Sequence, residues 1–296
     1  VIILAKKGWR PFLTSHRSVF ITQSESEALV ESLLLLLGAC LLLGIAVGFS
    51  AGLLGIGGGL IAVPALIYLL PMVDVPANNL PHVAIATSLA AIILTSFASA
   101  RAHHQRGNID WSLFKPMLPG TMLGALGAGF IAEFISGADL KRGFAVFVIL
   151  MSINMAFPYK PVSTEKKMPP ALVLFLVSAL IAVVSGLMGI GGGTLTVPFL
   201  CWCGLQMRQA VGFSSANGLV IALWGSLGYV IAGWDVQGMP FGSLGYVYIP
   251  ALVGIVITSM LMAPVGAKAA STWPTPVLKK IFAALLLVVG LKLMLG

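Results

Sequence analysis

Two stretches of this chain run for some forty residues without a single formal charge. Neither Asp, Glu, Lys nor Arg occurs from Ser32 to Val73, nor from Met168 to Met207. Further uncharged runs cover Val75–Ala100, Pro116–Ala132, Gly143–Tyr159, Gln209–Trp234 and Val236–Ala267. About 20 apolar residues span a bilayer as a helix, and the composition agrees: 9% of the chain is charged, 58% is hydrophobic, and mean hydropathy is +1.03. Soluble domains carry about 25% charge. The runs are continuous rather than alternating, which excludes the ~10-residue strands of a membrane barrel. The chain reads as an all-α polytopic membrane protein. Its net charge of +8 sits mostly outside the runs and is a topology signal, so no nucleic-acid partner is inferred. The basic segment 1–30 has no apolar core with a cleavage site and reads as a polar N-terminal leader.

The two longest runs each contain the same phrase. "GLLGIGGGLIAVP" occupies residues 52–64 and "GLMGIGGGTLTVP" residues 186–198, identical at nine of thirteen positions. Each is followed by a hydroxyl pair within an apolar stretch, Thr87-Ser88 in one half and Ser214-Ser215 in the other. This divides the chain into a first transmembrane repeat over 31–158, a linker loop over 159–168 and a second repeat over 169–296.

The orientation of the repeats follows from counting crossings. The run 32–73 would be about 60 Å long as one helix, twice the hydrocarbon thickness. If it crosses twice, or enters and turns back at GIGGG, each half has an odd number of segments. The second half is then inverted, with about 10 membrane helical segments in all. The loop after the third segment carries Arg101, Arg106 and Lys115, whereas its counterpart near Gly233–Ser243 carries no basic residue, as inverted halves require. The alternative is 8 spans in parallel repeats, which would put the basic leader inside.

Glycine costs about 0.8–1 kcal/mol relative to alanine inside a helix, so a run of four within five residues argues that the helix is broken there. Irregular backbone at membrane depth survives only where protein or a polar cavity satisfies it. A half-helix starting at Leu60 or Thr194 would present bare N–H groups and a partial positive charge, an anion site. The candidate substrate residues are therefore Gly57, Gly58 and Gly59, and Gly191, Gly192 and Gly193. Thr87, Ser88, Ser214, Ser215 and Asn217 are added as side-chain donors. The competing reading of the glycines is close helix packing, which suits Gly120, Gly124, Gly127 and Gly129. The competing reading of the hydroxyls is a bond to their own helix.

No acidic residue stands centrally in a long run, which favours an anion or neutral solute over a cation. Cys40, Cys201 and Cys203 lie in apolar runs without metal-ligand spacing, so no metal and no cofactor is expected. A membrane enzyme would have to be built from His82, His103, His104 and Asp110, whose spacing matches no metal motif. The histidines are also candidates for a coupling-proton shuttle.

The doubled phrase, with "HHQRGNIDW" at 103–111, resembles the TauE/SafE family of sulfite and organosulfur-compound exporters over roughly 30–295. The resemblance implies a multi-pass transporter of the plasma membrane, with the bacterial inner membrane as its setting. It implies movement of a small sulfur-containing anion such as sulfite or an organosulfonate, driven by a coupling proton or other ion. Membrane lipid is the surrounding partner, and no catalytic residue is implied. It carries the substrate role onto Gly57–Gly59 and Gly191–Gly193, while the hydroxyl residues rest on the reasoning above. An uncoupled anion channel is the competing function.

Overall fold

Both glycine phrases interrupt the helix. The computed structural model describes residues 23–54, 58–157, 168–272 and 275–295. Residues 1–22, Gly57 and the linker residues 159–167 lie outside the described residues. Ten α-helices are described: α1 Gln23–Leu54, α2 Gly59–Leu69, α3 Leu80–Gln105, α4 Trp111–Glu133, α5 Gly137–Ala156, α6 Ala171–Leu187, α7 Gly193–Trp202, α8 Met207–Ala232, α9 Ile249–Thr272 and α10 Thr275–Leu295. α1 begins inside the segment assigned to the leader. A two-stranded hairpin, β1 Ser243–Leu244 and β2 Val247–Tyr248, is a small addition to an otherwise helical chain. Among the described residues, four segments are long and apolar enough to cross a membrane: Glu31–Gly52, Leu80–Gln105, Met207–Ala232 and Ile249–Gly266. The protein is a multi-pass membrane protein.

The second phrase shows what each glycine does. Gly189 takes φ 66°, and Ile190 N–H donates to the Ser185 carbonyl at 3.0 Å. This is a left-handed stop that closes α6. Ile190 is fully buried and anchors the corner. Gly192, at φ 71°, is the N-cap of α7, a conformation that costs any residue with a Cβ about 1–2 kcal/mol. Gly58 repeats it at φ 73° as the N-cap of α2. The hydrogen-bond ladders begin alike: Ile61 and Ala62 N–H donate to Gly58 O, and Leu195 and Thr196 N–H donate to Gly192 O. The amides of Gly59 and Leu60, and of Gly193 and Thr194, therefore stand ahead of the first helical bonds.

The helices pack in a reciprocal pattern. α1 packs along α9, α4 along α6, α3 against α8, and α5 against α10. The first and fourth helices of each half thus take their main partners from the other half. Glycines bring these pairs close: a Cβ at Gly44 or Gly48 would strike the α9 backbone at Ile255 or Ser259, and one at Gly120 or Gly124 would strike α6 at Phe175 or Ala179. Gly129 presses on Gly228, but Gly127 has nothing within 4 Å, so the packing role expected for Gly127 is corrected. Hydroxyls bond across the same seams, with Ser178 donating to Met117 O at 2.8 Å, Thr258 to Leu41 O at 2.7 Å and Ser152 to Ala283 O at 2.7 Å. Lipid contributes no hydrophobic drive between helices, so close approach and such bonds hold the bundle.

Candidate functional site

The two phrases meet inside the bundle. Gly59, the first residue of α2, is buried against the Gly189 carbonyl and the Ile190 Cα. Gly191, Gly192 and Gly193 are buried as well. Ile92 of α3 touches both corners. Its Cδ1 lies 3.1 Å from the Cβ position of Gly59, and its Cγ2 lies 3.1 Å from that of Gly191.

The second corner is polar and under-satisfied. The Cβ position of Gly192 lies 3.6 Å from both Ser185 Oγ and Thr196 Oγ1, and against Ile221 Cδ1. Ser185 and Thr196 are fully buried and Asn217 is 1% exposed. Among the described residues, Ser185 Oγ, Thr194 Oγ1, Thr196 Oγ1 and Asn217 Nδ2 have no hydrogen-bond partner. Burying such groups unpaired costs about 1–3 kcal/mol each, and native structures keep few of them. Asn217 Oδ1 is taken by the Thr121 hydroxyl at 2.9 Å, which leaves the amide nitrogen as a free donor. Asn217 stands one helical turn before Ile221 on α8, so it shares the face that meets Gly192.

Among the described residues, no unpaired buried hydroxyl or side-chain amide is among the nearest neighbours of the Gly58 Cβ position. Aligning the phrases places Ala51 opposite Ser185, Leu60 opposite Thr194 and Ala62 opposite Thr196. Aligning the hydroxyl pairs places Ala90 opposite Asn217. The structure therefore holds two matched helix starts: hydroxyls stand beside the Gly192 cap, whereas the side chains nearest the Gly58 Cβ position are Val47 and Ala51.

The remaining expected residues are placed as follows. Gly58 is buried, and a Cβ there would lie 2.7 Å from Val47 Cγ1. Thr87 is buried and accepts from the Tyr248 main-chain N–H at 3.0 Å, which fixes the start of α9. Ser88 donates to the Gly189 carbonyl at 2.9 Å, which holds the second corner in place. Ser214 is buried and, among the described residues, makes no side-chain hydrogen bond. Ser215 donates to Val211 O at 3.0 Å and accepts from Ser99 Oγ at 2.9 Å. Ser185, Thr194 and Thr196 are the residues the sequence reasoning missed. Their signal was present: the phrases differ at four positions, and two of these exchange an alkyl group for a hydroxyl (Leu60 for Thr194, Ala62 for Thr196).

The residues of the enzyme alternative do not converge. His82 lies near the start of α3, where Nε2 donates to Ala132 O at 2.9 Å and the ring stacks on Tyr246. His103 and His104 lie at the other end of the same helix, about 30 Å away at 1.5 Å per residue. Asp110 caps α4 by accepting from the Ser112 N–H at 3.0 Å. Among the described residues no three His, Cys, Asp or Glu side chains are grouped to hold a metal. A separate groove between α2 and α10, lined by Leu60, Pro64, Tyr68 and Leu286, is almost wholly apolar. Its cation, Lys292, lies over the Tyr68 ring at 4.6 Å.

A multi-pass helical bundle with two broken-helix corners at its centre defines a membrane-transporter class of protein. Residues 40–293 match the family model described as sulfite exporter TauE/SafE, and the chain belongs to that family. It is 39% identical over 256 residues to a probable membrane transporter protein of Haemophilus influenzae, covering 86% of this chain and 97% of that one. A probable membrane transporter protein of Methanocaldococcus jannaschii is 28% identical over 266 residues, covering 88% and 97%. One from Bacillus subtilis is 28% identical over 214 residues, covering 64% and 77%. No solved structure matches the chain.

Proposed function

We propose that the protein is a secondary transporter, working as an exporter of a small sulfur-containing anion such as sulfite or an organosulfonate. The anion sits at the second glycine corner. The observation that carries this reading is the two unpaired buried hydroxyls beside Gly192, Ser185 and Thr196, together with the unpaired Asn217 amide one turn from Ile221 and the leading amides of α7. A set of donors with no carboxylate among them suits an oxyanion and repels no negative charge. The α7 N-terminus adds a partial positive charge. Gly192 lets the main chain approach Ile221, Ser185 and Thr196 more closely than a residue with a Cβ could.

Alternating access then moves one half against the other about this site. The reciprocal exchange of partner helices supports two related halves, 31–158 and 169–296. Five helical segments in each half support their inversion, since an odd count reverses the second half. A proton or another ion supplies the drive.

The test is flux into sealed liposomes with and without an imposed proton gradient, using labelled sulfite, thiosulfate and sulfoacetate. Uphill accumulation of one of them is expected. Downhill movement alone would make the protein an anion channel, and no movement of any would defeat the substrate reading.

A further inference from the structure

Ser88, Ile92, Ser96, Ser99 and His103 follow one another on α3 at intervals of four, four, three and four residues, which puts them on one face. That face runs from the second corner to one end of the bundle. Ser88 holds Gly189. Ile92 fills the space between Gly59 and Gly191. Ser96 Oγ lies 3.7 Å from the Cβ position of Gly191 and 3.4 Å from that of Gly218 on α8. Ser99 donates to Ser215 of α8 at 2.9 Å. His103 Nδ1 lies 3.2 Å from Asn108 Nδ2, at an end of the bundle that carries the exposed Arg101 of α3, Arg106, and Lys115 of α4, with the exposed Arg208 opening α8.

Ser96 is the informative residue. It is 7% exposed, and among the described residues its hydroxyl has no hydrogen-bond partner. Small residues alone would describe packing, but an unpaired hydroxyl on a residue 7% exposed, facing two glycines across the seam, is free to bond a polar visitor. The hydroxyl file is incomplete on the related helix. Counting from Ser215 at the same intervals gives Leu219, Leu223 and Ser226, so Leu223 stands where Ser96 stands on α3.

We propose that the α3–α8 seam is the route by which an anion passes between the basic end of the bundle and the second glycine corner, and that Ile92 is the apolar plug that shuts it. This rests on the reading of that corner as an anion site. Basic side chains concentrate the anion at the mouth. The Ser99–Ser215 pair and then Ser96 replace its water. Ile92 interrupts the hydroxyl file one turn short of Ser88, as hydrophobic constrictions gate other pores.

The experiment is thiol labelling of the full chain in sealed vesicles, with Cys40, Cys201 and Cys203 replaced by alanine. Single cysteines are placed by Ser99→Cys, Ser96→Cys and, facing outward on α3, Leu94→Cys. The probes are a sulfonate-bearing methanethiosulfonate and its trimethylammonium counterpart. The Ser99→Cys and Ser96→Cys proteins are expected to react from the basic-loop side, about tenfold faster with the anionic reagent, while Leu94→Cys reacts with neither. Ile92→Ala is expected to bring Ser88→Cys from unreactive to the rate of Ser96→Cys. The proposal is overturned if Ser96→Cys and Ser99→Cys label no faster than Leu94→Cys, or if Ile92→Ala leaves Ser88→Cys unreactive. Labelling requires no transported solute. Reactive seam cysteines in a protein that moves no sulfur anion would retire the substrate reading and leave the route standing.

Discussion

The two glycine corners share a backbone and differ in what surrounds it. Gly58 and Gly192 hold the same left-handed cap, within a few degrees of each other, and both helices carry a proline at the same place, Pro64 and Pro198. Around the second cap stand Ser185, Thr194, Thr196 and Asn217. Around the first stand Val47 and Ala51, and the positions aligned with Thr194, Thr196 and Asn217 are Leu60, Ala62 and Ala90. The difference separates two demands that a repeated motif can hide. The left-handed turn is a folding requirement and is met twice. Unpaired donors are an expense to folding, and of the two caps only the second has, among the described residues, buried unpaired hydroxyls as nearest neighbours of its Cβ position, at 3.6 Å. A helix start inside a membrane is therefore not by itself a binding site.

The largest expected contrast comes from adding a side chain at the caps. Gly192→Val places a β-branched group where φ is positive and where Ile221 already presses. It is expected to abolish flux and remove ligand-dependent thermal stabilisation. Gly58→Val carries the same backbone strain but is expected to lower the melting temperature while keeping a residual ligand shift. Equal loss of ligand stabilisation in both variants would erase the distinction between the corners.

Asn217→Leu comes next. It removes a free donor and leaves the Thr121 hydroxyl without its acceptor. Anion binding is expected to weaken by about 1–3 kcal/mol, roughly fivefold to 150-fold, in an equilibrium binding assay. The mirror change, Ala90→Ser, is expected to leave affinity unchanged.

Thr196→Val is smaller and more discriminating. The swap keeps shape and deletes one hydroxyl, so affinity is expected to fall by about 1 kcal/mol. The empty protein is expected to melt no lower, because an unpaired buried group has been removed. Ala62→Thr, the reverse exchange at the first corner, is expected to create no second site. The smallest effect on binding is expected for Ser88→Ala. It deletes the bond to the Gly189 carbonyl and costs about 1 kcal/mol of stability, read as a lower melting temperature with little direct loss of affinity.

Much of the fold was legible because membrane burial is written in long uncharged runs and helix breaks are written in glycine. GIGGG announced that two helices had to stop and restart, and Gly189 and Gly192 do so with backbone angles that only glycine adopts at low cost. The exchange of partners between α1 and α9 and between α4 and α6 was not legible. In lipid every apolar face looks alike, and the close approach at Gly44, Gly48, Gly120 and Gly124 has no sequence signature that names the opposite helix. The site was half legible. Backbone amides were inferred from the motif, and Asn217 from its place one turn beyond Ser214. Thr87 and Ser88 read as donors to a solute, yet their hydroxyls meet the main chain at Tyr248 and Gly189. That distinction depends on which backbone group lies within 3 Å, which only the tertiary structure decides. Thr194 and Thr196 were not legible from what the two phrases share, because the proposed site depends on positions at which the phrases differ.

The most direct test of the single-site account is the stoichiometry of equilibrium binding by the purified protein, using the tightest of sulfite, thiosulfate, sulfate, taurine and sulfoacetate. The account expects one anion per chain, lost in the Thr196→Val/Asn217→Leu double variant and kept when Ala62 and Ala90 are changed instead. Two anions per chain, or binding that survives the double variant, would contradict it.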